Sequence, residues 1–301
     1  MSRRRGGQRT GRHQGGQHGA GRQRPEQRRD VFVRRPFEGL VDEAEWIALR
    51  ELVPAATAPL RLSTELVERF GERPVTLATL LPLASPAMTR PDGHVLVATQ
   101  REGQSGDINR DIAAALLAAL AAERGAPVRV PPEPGPGPRL ADVLVDGKLD
   151  LTLHDGFEFW LGGGDADPAV VASLERANES LQPTVRMTSA ASAYWCQVAE
   201  RSHLRWVLAE PEEVALPALA RVSASGGMRL GDATRFAGMF RAHGLLIPVW
   251  DLPRDAPAQR WEESLAAFAA RYKDALAVGG DLDADQRRAR QGLIGRQLTL
   301  R

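Results

Sequence analysis

Cysteine and lysine are almost absent from this chain of 301 residues. Cys196 is the only cysteine, which excludes an intramolecular disulfide and a zinc site built on several thiolates. The longest apolar run, at 112–122, is far shorter than the ~20 residues that a membrane-spanning helix needs. No apolar run follows the basic start of the chain, as it would in a secretory signal. We therefore expect a cytoplasmic protein that does not contact a membrane.

The common motifs of nucleotide-binding proteins and hydrolases are missing as well. There is no G-x-x-x-x-G-K-S/T loop, no G-x-G-x-x-G turn opening a helix and no G-x-S-x-G nucleophile elbow. These absences exclude the common phosphate-binding loops and the nucleophile elbow of one class of serine hydrolases. We expect no cofactor and no metal site, and the sequence leaves enzymatic activity uncertain.

Arginine is concentrated at the N-terminus. Residues 1–36 hold 11 arginines against Glu26 and Asp30, a charge of +9, so the net charge of +1 leaves −8 on the rest of the chain. Residues 1–31 are rich in Gly, Gln and Arg and have almost no bulky apolar side chains, which predicts a disordered tail. Arginines in such a tail bind RNA through phosphates and by stacking on bases. The candidates for contact with RNA or the ribosome are Arg3, Arg4, Arg5, Arg9, Arg12, Arg22, Arg24, Arg28 and Arg29.

Two other interpretations of the tail stay open. It lacks aromatic residues between its arginines, so it is also typical of a solubilising arm without a dedicated partner. A start codon placed too far upstream would give the same sequence.

The rest of the chain predicts an α+β fold with antiparallel sheets flanked by helices, because strand-like segments follow one another in runs. The Pro- and Gly-rich segment 131–141 is a predicted linker between a first unit at 32–130 and a second at 142–301. A helix, three strands and a helix are predicted in each unit. The repeated order suggests an internal duplication, with coincidence as the alternative.

Two groups of side chains are candidates for a ligand site. In "LHDGFEFW", His154 and Glu158 lie close together and could act as acid and base or bind a ligand. The alternative is a purely structural role, with a turn at Gly156 followed by a short strand. In "SHLRWVL", alternation places His203 and Arg205 on one face of a strand, and Arg241 and His243 share a face in "MFRAHGL".

If those two strands are neighbours, two guanidinium groups and two imidazoles would suit a phosphate or carboxylate. The alternative is a solvated sheet face that neighbouring acids neutralise. Cys196 with His203 as its base is a further candidate pair, although a lone cysteine in a strand is more often a small buried apolar residue.

Many separate segments of the chain resemble one family. They are "FEGLVDEAEWIALRELVPAATA", "SGDINRD", "HDGFEFW", "SLERAN", "AYWC", "HLRWV", "FRAHGLLIPVWDLP" and "RRARQGLIGRQLTL". Together they resemble an actinobacterial family of uncharacterised proteins, a domain of unknown function, from about residue 34 to 301. Members of that family often carry an N-terminal SEC-C motif, a small Cys/His zinc knuckle associated with protein export and ribosome-linked factors. This chain has no cysteine there, so that zinc site cannot form.

The resemblance implies an adaptor role and supplies no activity. The leading hypothesis is a non-enzymatic binding or adaptor protein that contacts RNA or a ribonucleoprotein through its basic tail. The alternative is a hydrolase or a small anionic-ligand-binding domain that uses His154, Glu158, His203, Arg205, Arg241 and His243.

Overall fold

The structure, a computed structural model, describes residues 32–102, 105–131, 135–161 and 168–296. Its α-helices are α1 (Glu43–Glu51), α2 (Thr64–Phe70), α3 (Ile108–Ala121), α4 (Leu140–Val143), α5 (Pro168–Glu179), α6 (Glu212–Ala224), α7 (Glu262–Ala277) and α8 (Ala284–Ile294). Its strands are β1 (Ala56–Leu60), β2 (Val75–Ala78), β3 (Ala87–Thr89), β4 (Val95–Ala98), β5 (Thr152–Leu153), β6 (Thr184–Arg186), β7 (Ala193–Val198), β8 (Arg201–Trp206), β9 (Arg235–Ala242) and β10 (Leu245–Leu252). The predicted α+β class is confirmed.

The first five strands form sheet 1, in the order β3-β4-β2-β1-β5. Its β2 and β4 are parallel, with Val75 opposite Val95, and its other pairs are antiparallel. Helix α3 packs on this sheet through the buried side chains of Ile112, Leu116 and Leu120. Asp107 caps α3 by accepting a hydrogen bond from the backbone N–H of Arg110.

The last five strands form sheet 2, in the order β6-β7-β8-β10-β9, and every pair is antiparallel. One face packs on α6, α7 and α8 through residues such as Leu204, Trp206 and Trp250. The other face carries Tyr194, Ile247 and other side chains into the core that contains sheet 1, α1 and α3. Because helices cover one face and the first half of the chain covers the other, the apolar run of β10 is buried almost throughout.

A buried carboxylate joins the two halves beneath this core. Glu45 of α1 is 2% exposed and accepts hydrogen bonds from the Tyr194 hydroxyl, at 2.7 Å, and from the Arg186 guanidinium. Burial, followed by the charge of Glu45, raises the pKa of Tyr194 far above its usual value. The tyrosine is therefore a permanent donor, and this polar contact fixes α1 against sheet 2.

The order of elements in the first half differs from the expected one. A helix, three strands and a helix do follow one another in the second half, as α5, β6, β7, β8 and α6. In the first half, α2 separates β1 from β2, and four strands, not three, lie between α1 and α3. The sheets are mainly antiparallel, as expected, with one parallel pair, β2 with β4, which has no counterpart in sheet 2.

The segment predicted as a linker has no regular structure at residues 135–139, and residues 132–134 lie outside the described part. Elements that follow it contact the first half: β5 pairs with β1, and Leu144 bridges to Leu62. The unit boundaries at 130 and 142 stay predictions. The tail at 1–31, with its nine candidate arginines, lies outside the described residues. In the part that is described, no helix is long and apolar enough to cross a membrane.

Candidate functional site

The central cavity lies between sheet 2 and the first half of the chain and has a volume of about 570 Å³. Its walls come from the end of α1, the Leu81–Pro82 loop, the segment after α5 and the strands of sheet 2. The lining residues are Glu51, Leu52, Pro54, Leu81, Pro82, Ser180, Gln182, Val198, Arg201, His203, Arg205, Arg235, Ala237, Phe240, Val249 and Asp251. Half of them are apolar, and the charged ones lie mainly on sheet 2.

Strand β8 supplies alternate residues to this cavity. Arg201, His203 and Arg205 face it, while Ser202, Leu204 and Trp206 are buried on the other side of the strand. The predicted alternation of His203 and Arg205 against Leu204 and Trp206 is confirmed.

Asp251 of β10 lies next to three basic side chains of the cavity, Arg201, His203 and Arg235. It lies directly opposite His203 in the sheet. Its Oδ2 accepts hydrogen bonds from Arg201 at 3.0 Å and from the Nε of Arg235 at 3.1 Å. Its Oδ1 lies 3.2 Å from the Nδ1 of His203, but the angles do not make a hydrogen bond, and this buried nitrogen has no other partner in the described structure. One carboxylate therefore contacts two arginines beside a histidine.

Arg205 lacks such a partner. It lies opposite Tyr194 of β7 and Val249 of β10, and its half-buried side chain lines the cavity. No hydrogen bond or ion pair of its guanidinium is formed with any residue that the structure describes. A charged group held partly out of water without a counterion is unfavourable, so an anion in the cavity would be attracted to it.

His203 is neutral near pH 7. Burial and the charge of Arg205 lower its pKa, and these effects outweigh Asp251, which raises it. A neutral imidazole can donate one hydrogen bond and accept another. The positive charge available to a ligand in this cavity therefore comes from arginine.

Cys196 lies directly opposite His203 in the sheet, as the proposed pairing of nucleophile and base requires. The thiol is 2% exposed, however, and burial raises its pKa. The thiolate, which is the reactive form, is therefore disfavoured, and the geometry is that of a buried small residue.

Arg241 and His243 lie elsewhere. Strand β10 separates β8 from β9, so the expectation that the two Arg/His strands are neighbours is wrong. His243 lies beyond the end of β9 at Ala242 and has a positive φ of 48° in the hairpin turn. Alternation along a strand no longer applies there.

Each of these two residues has an acidic partner, and with Arg34 they form what we call the hairpin cluster (Arg34, Glu51, Glu212, Arg241 and His243). Arg241 binds both carboxylate oxygens of Glu212, at 2.7 and 2.6 Å, and the pKa of Glu212 is lowered chiefly by this contact. The Nε2 of His243 lies 2.7 Å from Glu51. Burial raises the pKa of Glu51, but His243 and Arg50 outweigh it, and the net pKa is lowered. The cluster lines a second cavity of about 350 Å³, and Glu51 lines both cavities.

His154 directly follows β5, and Glu158 begins a short helical turn and lines a third cavity of about 390 Å³. The Nε2 of His154 is 2.8 Å from the Thr57 hydroxyl, and its ring lies 4.5 Å from that of Phe159. Glu158 accepts a hydrogen bond of 2.7 Å from Asn178 and lines this cavity with Thr57. Burial lowers the pKa of His154. The strand predicted at 157–160 is instead a 3-10 helix, Glu158–Trp160.

The six predicted site residues are thus not brought together. His203 and Arg205 line the central cavity, Arg241 and His243 line the second, and Glu158 lines the third. Among the described residues, no group of three or more His, Cys, Asp or Glu is placed to hold a metal ion. What the arrangement provides is a partly apolar cavity with a surplus arginine.

The sequence profile of DUF5926, a family of unknown function, matches residues 36–301. The chain belongs to this family. A search of curated proteins finds no match, and neither does a search of solved structures. The central cavity lies wholly within the residues that the family profile covers.

Sequence reasoning missed three residues of this family member's central cavity, Arg201, Arg235 and Asp251. Two signals were present. Arg201 continues the alternation of His203 and Arg205, and Asp251 is the only charged residue in the apolar run of β10. A lone carboxylate in a buried strand indicates a cationic partner on a neighbouring strand.

Proposed function

We propose that this protein binds a small organic anion in the central cavity. The observation that carries the proposal is the half-buried Arg205, which lines the cavity and has no counterion among the described residues. The apolar walls around it suit the body of an organic ligand, and volumes of this size are usual for small-molecule sites.

Binding of anilinonaphthalene sulfonate (ANS), an aromatic anion that fluoresces in apolar surroundings, tests this function. The Arg205→Gln variant should bind it at least about tenfold more weakly, since hydrogen bonds to charged groups contribute roughly 1.5–3 kcal/mol. Arg229→Gln is the matched control, because Arg229 is exposed and does not line the cavity. Equal affinities in the wild type and both variants, or equal losses in both variants, would show that the cavity is not the site.

We propose as a second function that the tail at 1–31 binds a polyanion such as RNA, which would make the protein an adaptor. The support is the charge of +9 on residues 1–36 against −8 on the remainder. Contacts to phosphates release counterions, so the affinity should fall with salt.

Binding of a poly(U) RNA across a salt series tests the tail in the full-length chain. Changing the nine candidate arginines to glutamine should abolish the salt dependence of binding, whereas changing them to lysine should retain it. An unchanged affinity in the glutamine variant would overturn this second function. It would leave the cavity proposal intact.

A further inference from the structure

We infer that the ligand of the central cavity is a monocarboxylate with an apolar body. The inference rests on the proposed anion-binding function and adds the class of head group and the kind of body attached to it. Three features of the cavity carry it: the number of unbalanced charges, the shape of the unpaired cation and the composition of the walls.

The ion pairs of the cavity leave one arginine without a carboxylate. Three arginines line it, Arg201, Arg205 and Arg235. Asp251 contacts Arg201 and Arg235, and Glu51 contacts Arg50 and His243, which do not line the cavity. Arg205 is therefore the one lining arginine with no carboxylate contact among the described residues. A dianion such as a phosphate monoester calls for a second guanidinium of this kind, which the described walls do not provide.

The geometry of Arg205 suits a carboxylate. A guanidinium group offers two parallel N–H donors that match the two oxygens of a carboxylate. The strands on either side hold the backbone of Arg205 between Tyr194 and Val249, so the stem of the side chain starts from a rigid position. His203, two residues away on the same face, offers a neutral imidazole to the same head group.

Half of the residues that line the cavity are apolar. Leu52, Pro54, Leu81 and Pro82 come from the first half of the chain, and Phe240 and Val249 come from sheet 2. A ligand with a charged head alone would leave this surface in contact with water. An aliphatic or aromatic body would cover it, and each methylene that is buried should strengthen binding about fourfold.

Competition with ANS by matched eight-carbon ligands tests the head group. Octanoate should bind at least about tenfold more tightly than octanol, which has no charge, and more tightly than octyl phosphate, which carries more than one. Butyrate, hexanoate and octanoate should show an increase of about fourfold in affinity for each added methylene. Octyl phosphate binding as tightly as octanoate or more so, or an affinity that does not depend on chain length, would overturn the inference.

Variants of the full chain separate this inference from the function on which it rests. Arg205→Gln should weaken the binding of octanoate at least about tenfold and leave the affinity for octanol unchanged. Arg229→Gln should change neither affinity. Arg205→Lys keeps the positive charge but loses the two parallel N–H donors of the guanidinium group. This variant should bind octanoate with intermediate affinity. If Arg205→Gln weakens ANS but not octanoate, the carboxylate inference fails and the anion site stands. If it weakens neither ligand, the proposed function fails as well.

Discussion

The central cavity and the hairpin cluster use the same residue types with different outcomes. In the hairpin cluster, Arg241 donates hydrogen bonds to both carboxylate oxygens of Glu212, and His243 is hydrogen-bonded to Glu51. In the central cavity, one carboxylate, Asp251, serves Arg201 and Arg235 and lies beside His203, and Arg205 is left over. Paired charges of the first kind stabilise the fold, whereas a surplus charge reduces stability and is available to a ligand.

The position of each group in the fold explains this difference. Arg241 and His243 lie at the end of an edge strand, where α6 and α1 each bring an acid within reach. Arg205 lies in the interior of sheet 2, and its cross-strand neighbours are Tyr194 and Val249, neither of which is acidic. The hydroxyl of Tyr194 is already bound to Glu45.

The largest expected difference between the two regions is in stability. Arg241→Gln should lower the free energy of unfolding by about 1–2 kcal/mol, because Glu212 loses two charge-assisted hydrogen bonds and keeps only the exposed Arg34, at 3.6 Å. Urea unfolding measures this change. The affinity for ANS should remain within about twofold of the wild type, since Arg241 does not line the central cavity.

Arg205→Gln is the matched control for that experiment. It also removes one arginine from sheet 2, but it breaks no ion pair of the described structure, so the free energy of unfolding should stay the same or rise by about 0.5 kcal/mol. Equal destabilisation by the two variants would remove the contrast between paired and surplus charge.

A smaller effect is expected at Asp251. Asp251→Asn should lower the free energy of unfolding by about 1 kcal/mol, because the partner side chains Arg201 and Arg235 are 59% and 71% exposed and such pairs contribute little. The same change adds a surplus positive charge to the cavity, so ANS should bind about threefold more tightly. Urea unfolding and fluorescence titration measure these opposite responses. A loss of affinity together with stability would mean that Asp251 holds the site in shape more than it balances charge.

The fold class was predictable because the second half follows local rules. The alternation in β8 and the run of strand-like segments are signals that lie within single stretches of the sequence. The first half escaped prediction where elements are short. β3 has three residues between prolines, and α2 has seven residues, of which only Leu66 is buried. Such elements depend on pairing with distant strands, which a local pattern does not report.

The site was predictable to a lesser degree. Alternation correctly placed His203 and Arg205 on one face, because that property depends only on β8. It did not indicate that β10 lies between β8 and β9, or that Glu51 and Glu212 pair with His243 and Arg241. Those contacts join residues far apart in the sequence. The surplus charge on Arg205 is therefore a property of the tertiary structure.

The smallest expected effect concerns pH and His203. Burial, Arg205 and Arg201 hold its folded pKa below the ordinary value against the pull of Asp251, so the unfolded chain takes up the proton first as the pH falls. Its contribution to stability is complete above about pH 6.5 and is lost as the pH falls towards the folded pKa. His203→Gln should flatten the fall in unfolding free energy below neutral pH, although His94 and His154, whose pKa values burial also lowers, leave a residual slope. Affinity for ANS should rise with acidification more steeply in the wild type than in the variant, because the imidazolium of His203 adds positive charge to the cavity. Identical pH profiles in the two proteins would show that protonation of His203 affects neither the stability nor ligand binding in this cavity.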